Sequence, residues 1–347
     1  MSNIWDMIRV VVFGSNNDAS RDSAPAFNPA QDIPSMAGKV VFITGAAGDL
    51  GRQTAIELAR YGRPSRIYIA DLPRNDDAKQ ALIRRIHDEA YGDSISPTSE
   101  TAVVTSPTEV RFLDLDLASF DSVRKCAQQF AAQEQLLDIL ILNAGIIRVP
   151  PATTPEGYEI HFGVNYLGHA LLARLLMPML LRTTQRQAGA DARVVVVSSE
   201  GHVSAPKQGV DFDLVKTNCS NLPYPKRYGQ SKAALIGLMQ GLSRDYPQVK
   251  SVAVHPGRIL TGMATSLWKE STLARLTKPI APFFCAPVTT GIRNHLWAAT
   301  SSEVVSGTYY EPVGVPGTLS PAVQDPTFAK RLKEWTDNAL EGIKSLE

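Results

Sequence analysis

Cysteine is scarce in this chain. Only three occur in 347 residues, Cys126, Cys219 and Cys285, odd in number, scattered, and without a C-x-x-C pair. That argues against a disulfide framework or a zinc site and makes a reducing, cytoplasmic compartment the expectation. The six histidines have no ligand spacing, so no metal is expected; His161 and His169 read as packing or surface residues. No run of about 18 apolar residues stands out, so no membrane-spanning helix is expected. Excess charge is missing too. Lys and Arg number 35 against 34 for Asp and Glu, which offers no electrostatic reason for a nucleic acid or an acidic membrane as partner. What remains is a chain 44% hydrophobic, of a length that suits one large α/β domain or two small ones with ample core.

Short apolar runs alternate with helical patterns. Strands are expected near 40–43, 66–70, 110–113, 139–142, 193–197 and 250–254, joined by helices. Such alternation predicts a parallel sheet with helices on both faces, a Rossmann-type doubly wound α/β fold. The expected organisation is an N-terminal extension over 1–37, one dinucleotide-binding and catalytic domain over 38–320, and a C-terminal helix or tail over 321–347. Residues 14–36, rich in Asn, Asp, Ser, Pro and Ala, read as a flexible lead-in. The apolar segment Ile4 to Phe13 before them is too short to span a bilayer. It reads as a short helix packed on the domain, with a peripheral membrane contact as the alternative. Gly92–Glu109 reads as a Ser/Thr/Pro-rich surface insertion.

Three patterns carry chemistry. Tyr228 and Lys232 stand four residues apart, on one face of a helix. A nearby ammonium favours the phenolate, so the expectation is a tyrosine of lowered pKa, fit for proton transfer near neutral pH. Second, the apolar run Val40–Ile43 leads into Thr44, Gly45, Gly48, Asp49, Leu50 and Gly51, with a helical pattern from Gln53 to Tyr61. Strand, glycine turn and helix in that order place backbone N–H groups where a pyrophosphate can sit. Third, Asp71 ends the next strand, 20 residues beyond Gly51. An acidic residue there hydrogen-bonds a ribose and repels a 2′-phosphate, which favours NAD over NADP. Arg74 follows closely and could serve the 2′-phosphate instead.

Taken together, residues 38–315 resemble the short-chain dehydrogenase/reductase family, in wording closest to its retinol-dehydrogenase-like branch and fungal relatives. The family's T-G-x-x-x-G-x-G matches at Thr44, Gly45 and Gly51 and departs at Asp49, with Gly48 just before it. The resemblance implies an adenine contact at Asp116 and Leu117, an N-A-G segment at Asn143, Ala144 and Gly145, and an active-site asparagine at Asn165. It places the catalytic serine at Ser199, beside Tyr228 and Lys232. It also implies a nicotinamide-side stretch at Pro256, Gly257 and Thr261, followed by a substrate lid near 262–290. That lid carries Trp268, Leu273, Phe283 and Phe284.

The activity so implied is hydride transfer between NAD and a secondary alcohol or ketone of a bulky, mostly apolar small molecule. Tyr228 would carry the proton and Ser199 would orient the substrate oxygen. Lys232 would tune Tyr228 and hold the ribose, and Asn165 would hold a water linking Lys232 to solvent. A homodimer or homotetramer on the helices of Asn165 and Tyr228 is expected, because the run Leu167 to Leu181 is more apolar than one buried face requires. Three rivals stay open. A serine hydrolase lacks support, because Val197-Ser-Ser-Glu-Gly201 misses the first glycine of G-x-S-x-G. A non-catalytic dinucleotide sensor has no need of Ser199, Tyr228 and Lys232 together. A redox-neutral isomerase would use the same residues.

Overall fold

A computed structural model describes residues 27–92, 107–186, 189–259 and 286–343. Seven parallel strands form one sheet in the order β3-β2-β1-β4-β5-β6-β7. They are β1 (Val40–Thr44), β2 (Arg66–Asp71), β3 (Glu109–Asp114), β4 (Ile139–Leu142), β5 (Ala192–Val197), β6 (Val249–Val254) and β7 (Tyr309–Tyr310). The six expected strands are present within a residue of their predicted ends. The last is an addition. β7 has only two residues, too short for a period, and is held by the register Ala253 to Tyr309 and Val254 to Tyr310.

The longer helices are α1 (Asp49–Glu57), α2 (Asp76–Tyr91), α3 (Phe120–Ala131), α4 (Gly168–Gln185), α5 (Tyr224–Asp245), α6 (Arg293–Thr300) and α7 (Phe328–Ala339). Alternate strand residues feed opposite faces, as the two-residue pleat requires. Phe42, Tyr68, Leu140, Leu142, Val194 and Val196 join the core under α3, α4, α5 and α7. Val41, Ile43, Ile67, Ile69, Ile141, Val195, Val252 and Val254 join the other, under α1, α2 and α6. Both faces are therefore apolar, and the strands read as continuous hydrophobic runs. Strand order reverses between β1 and β4, which opens a crevice at the carboxyl ends of the strands.

Two boundaries differ from expectation. The lead-in does not extend to residue 36: Phe27, Ile33 and Met36 are buried in the core. Met36 donates its N–H to Gly62 O at 2.6 Å, and its sulfur sits where a Cβ on Gly62 would be. The expected C-terminal helix is present as α7, but the domain does not stop at residue 320, because that helix packs back on it. Phe328 and Leu332 of α7 press on Gly237 of α5, and Arg174 of α4 pairs with Asp337. That cover accounts for much of the apolar surplus that suggested an oligomer, since Leu167 to Leu180 is largely buried within one chain.

The segment Phe162–Gln185 is long and apolar enough to cross a membrane, with a mean hydropathy of 1.3 in its best window, where no such run was expected. That window is 78% buried inside the fold, so its apolarity is used by the core.

Candidate active site

The glycine turn is shaped by close approach. Gly45 has φ +68°, and a Cβ there would lie 2.7 Å from Ala144 Cα. A Cβ on Gly51 would lie 2.5 Å from Gly45 O and 2.8 Å from Asn143 Nδ2. Only glycine fits either place. Thr44 and Asn143 tie β1 to the turn after β4. Thr44 Oγ1 accepts from the N–H groups of Asn143 and Ala144 at 2.9 and 3.0 Å, and Asn143 Nδ2 donates to Thr44 O at 2.8 Å. Helix α1 begins beyond Gly48 with no side-chain cap, leaving the first-turn N–H groups facing the crevice.

Asp71 lies against this turn. Its carboxylate accepts from Ala47 N and Leu72 N, each at 2.9 Å, and pairs with Arg74 at 3.5 Å. Arg74, weighed as a 2′-phosphate ligand, thus stands on the same carboxylate. Asp49, where the family has glycine, pairs with Arg52 at 3.2 Å, and Arg52 also donates to Ala47 O at 3.1 Å. The acidic substitution is matched by a cation one helical turn on. Asp116 caps its own turn, accepting from Ala118 N at 2.9 Å. Leu117 is buried, and its carbonyl would lie 2.4 Å from a Cβ on Gly168. Gly257 has φ +86°, and a Cβ there would meet only Ile259 Cδ1, at 3.8 Å. Pro256 precedes it at the end of β6. Thr261 and the proposed lid, with Trp268, Leu273, Phe283 and Phe284, lie outside the described residues, as do 1–26 and most of the 92–109 insertion.

This cradle fits a dinucleotide: a bare helix N-terminus, glycines that no side chain could replace, and a carboxylate at the end of β2.

The second group of residues lies across the crevice. Ser199 follows β5 in extended backbone and accepts from Gly201 N at 3.0 Å. Ser199 faces Tyr228, on α5, and favours its phenolate. Its ring lies over Gly201, where a Cβ would meet Tyr228 Cε1 at 2.8 Å. Lys232, one turn on, is 5% exposed and donates to Val197 O at 3.0 Å. Its Nζ sits 5.7 Å from the centre of the Tyr228 ring. Gly145 faces both Asn165 Oδ1 and Lys232 Nζ, at 3.3 and 3.6 Å from a notional Cβ.

Here the structure reverses one expectation. Burial pushes the Tyr228 phenol up, and Tyr224 and Glu200 push the same way against the opposing effect of Ser199. Burial also lowers Lys232 to about 8. Desolvation disfavours both charged forms, and the ammonium is directed at a carbonyl rather than at the phenol oxygen.

Asn165 is fully buried and bonds outward in three directions. Its Oδ1 accepts from Ile146 N at 2.7 Å, and its Nδ2 donates to Ile146 O at 3.1 Å and to Ser231 Oγ at 3.0 Å. It lies in a π-helical turn, Phe162–Leu167, which widens the helix at this point. The carbonyl of Asn165 is 2.8 Å from His169 Nδ1, and His169 Nε2 is 2.9 Å from Thr44 Oγ1. The carbonyl can only accept, so the proton is assigned to Nδ1 and Nε2 accepts from the threonine. Burial keeps this imidazole neutral, lowering it to about 4. His169 was read as packing or surface; it is instead a bridge between the glycine turn and Asn165. His161 is buried as well, on Glu159 at 2.8 Å, and Arg227 reaches the same carboxylate at 3.3 Å.

A further charged group was not anticipated. Arg258, after Gly257, pairs with Glu200, after Ser199, at 2.8 Å. Ligand atoms of Glu200, His255 and Glu311 all lie within 4.8 Å of one another. The Arg258 guanidinium already supplies a positive charge there.

Comparison with known proteins follows this geometry. Residues 39–210 match the family model described as short chain dehydrogenase. An uncharacterised oxidoreductase of Schizosaccharomyces pombe is 35% identical over 327 residues, spanning 91% of this chain and 88% of that protein. Retinol dehydrogenase 14 of Homo sapiens is 35% identical over 309 residues, spanning 86% and 84%. Among solved structures, an uncharacterised protein of Mycobacterium paratuberculosis superposes with a TM-score of 0.64 at 26% identity, over 92% of this chain and 99% of that one.

Proposed function

The chain belongs to the short-chain dehydrogenase family, and on that premise we propose that it interconverts a secondary alcohol and a ketone on a bulky, mostly apolar small molecule with NAD as cofactor. The observation that carries this reading is the convergence of Ser199 Oγ and the Tyr228 ring on Gly201, with Lys232 packed against the same ring. When bound, the nicotinamide supplies or accepts the hydride. Tyr228 Oη gives or takes the matching proton at the substrate oxygen. Ser199 Oγ orients that oxygen and steadies its developing charge. The raised proton affinity of Tyr228 leaves it protonated at neutral pH, the form that donates to a carbonyl. Oxidation needs the phenolate, which a charged Lys232 would favour. Asn165 holds the turn at Ile146 in place and, in this reading, would hold a water that links Lys232 to solvent. Thr44 to Gly51 would hold the pyrophosphate, Asp71 the ribose, and Asp116 and Leu117 the adenine side. Asn143 to Gly145 and Pro256 to Thr261 would line the nicotinamide end. NAD is preferred because the Asp71 carboxylate faces the position that a 2′-phosphate would enter.

The relatives' names suggest the first substrates to try. NADH and NADPH should be titrated by intrinsic fluorescence. Nicotinamide absorbance should then be followed with a bulky apolar secondary alcohol and NAD and with the matching ketone and NADH, beside all-trans-retinol and NAD as the primary-alcohol comparison. Tighter NADH binding and turnover lost in Tyr228→Phe are expected. Binding of neither nucleotide would overturn the reading, and product without net absorbance change would favour the redox-neutral alternative.

A further inference from the structure

The two turns that flank Ser199 and Gly257 leave adjacent strands, β5 and β6, at the same edge of the sheet. Glu200 and Arg258 join them at 2.8 Å, with side chains 15% and 24% exposed. An ion pair shielded to that degree resists screening more than a surface pair does. The next residue, Ile259, continues the chain of contacts. Its side chain fills the space beside Gly291, where a Cβ would meet Ile259 Cδ1 at 2.5 Å and Leu50 Cδ2 at 3.2 Å. Leu50 stands in the first turn of α1, on the glycine cradle. On the other side, Gly201 lies under the Tyr228 ring, where a Cβ would stand 2.8 Å from Tyr228 Cε1 and 3.3 Å from Ser199 Oγ.

We propose that the Glu200–Arg258 pair is a positioning clamp that couples the dinucleotide cradle to the Ser199–Tyr228 pair, with Arg258 also offsetting the charge that Glu200 presents to Tyr228. The proposal rests on the dehydrogenase reading above. Several groups face Tyr228: Ser199 and Glu200 from the turn after β5, Tyr224 and Lys232 from its own helix, His161 from the segment before Asn165, and Tyr309 from β7. Glu200 is the carboxylate among them, and it raises the proton affinity of the phenol. Glu200 in turn is faced by Arg258, His255 and Glu311. Burial holds His255 below its ordinary range, so it is neutral where the phenol titrates.

The clamp makes two predictions of opposite character. For binding, Arg258→Met and Glu200→Gln should each weaken NADH several-fold, read by nicotinamide fluorescence. The double variant should be no worse than the poorer single, because both remove one interaction. Arg258→Lys should restore most of the affinity. For proton affinity, the singles should move in opposite directions. Tyr228 is followed by tyrosinate absorbance with NAD bound, each variant against its own Tyr228→Phe counterpart. Glu200→Gln should lower the Tyr228 titration and Arg258→Met should raise it, each on the order of half a unit to one unit. A general loss of packing would shift both the same way and would not be rescued by lysine.

Additive losses of NADH affinity, singles within twofold of wild type, or titration shifts of one sign would overturn the clamp. Failure of the wild-type protein to bind NADH would instead overturn the functional reading beneath it. If Arg258→Met does not fold, Arg258→Lys and Glu200→Gln carry the same binding comparison, and Glu200→Gln alone tests the sign of the titration.

Discussion

The two sides of the crevice are built from different materials. The nucleotide side is made of backbone: a Cβ on Gly45 or Gly51 would lie only 2.7 or 2.5 Å from neighbouring main chain, and the N-terminus of α1 is bare. The opposite side is made of buried side chains, with Lys232, Asn165, His169 and Glu159 all withdrawn from water. Backbone recognition needs particular residues at fixed spacing in one short segment. Side-chain chemistry needs partners from distant segments, and each is expensive to bury unless it is bonded. The first side should therefore respond to mutation in binding, and the second in rate and in pH dependence.

The sharpest test of that division is Tyr228→Phe. It removes one oxygen from the side-chain half and nothing from the cradle. Turnover should fall by about 10²–10⁴-fold, the usual contribution of proton transfer, with NADH affinity within twofold of wild type. Retention of more than about a tenth of the rate would mean that another group moves the proton.

The same division explains what could be read before any fold was seen. The glycine turn, Asp71 and the Tyr228–Lys232 spacing are local, so their geometry is written in consecutive residues. Six strands were legible because a sheet buried on both faces shows continuous apolar runs. β7 was not, since two tyrosines carry no period. The Thr44–His169 contact spans 125 positions and the Glu200–Arg258 pair spans 58, with no local signal for either. The composition of residues 14–36 reads as a lead-in, yet Phe27, Ile33 and Met36 are buried there, and Met36 and Ile33 pack over Gly62. The proton affinity of Tyr228 was misjudged for a related reason: a lysine at i+4 announces proximity, while burial depends on the whole fold.

Lys232 should show what burial costs on the catalytic side. Its folded value, about 8, lies below the ordinary 10.5. Below pH 8 both folded and unfolded chains hold the proton, and the fold bears the full cost of a buried ammonium. Between 8 and 10.5 the folded chain releases it while the unfolded chain keeps it, so stability rises with pH. Complete relief would be worth about 3 kcal/mol. The upper end is cut short by Tyr228, whose raised value reverses the trend once unfolded tyrosine ionises. Without added nucleotide, Lys232→Met should melt higher than wild type at neutral pH and lose the alkaline gain, while turning over far more slowly. A variant that melts lower, or keeps the same pH dependence, would show that the ammonium is adequately solvated in place.

On the nucleotide side, Asp71→Ala should change selectivity rather than rate. The carboxylate is partly buried against Ala47 N and Leu72 N, and its removal frees Arg74 from its partner. Both changes favour a 2′-phosphate. The preference for NADH over NADPH, measured by fluorescence titration, should narrow by roughly tenfold, the effect of about 1.4 kcal/mol. An unchanged ratio would place the discrimination elsewhere on the turn.

The smallest effect expected is at Asp49, the one place where the cradle departs from its family's glycine pattern. A carboxylate in the first turn of α1 is favoured by the helix dipole by about 0.3–1 kcal/mol. The same charge repels a pyrophosphate approaching that turn. Arg52, 3.2 Å away, reduces the repulsion without abolishing it, since its side chain also donates to Ala47 O. Asp49→Gly should therefore tighten NADH about two- to threefold while lowering the melting temperature slightly, as the helix loses its charge and gains a flexible residue. Arg52→Ala should weaken NADH by exposing the uncompensated carboxylate, and combining it with Asp49→Gly should recover most of the loss. Recovery is the informative result, because it assigns Arg52 to the carboxylate. If the double variant binds as poorly as Arg52→Ala alone, the guanidinium contacts the nucleotide directly, and this corner of the backbone-built side also depends on a side chain.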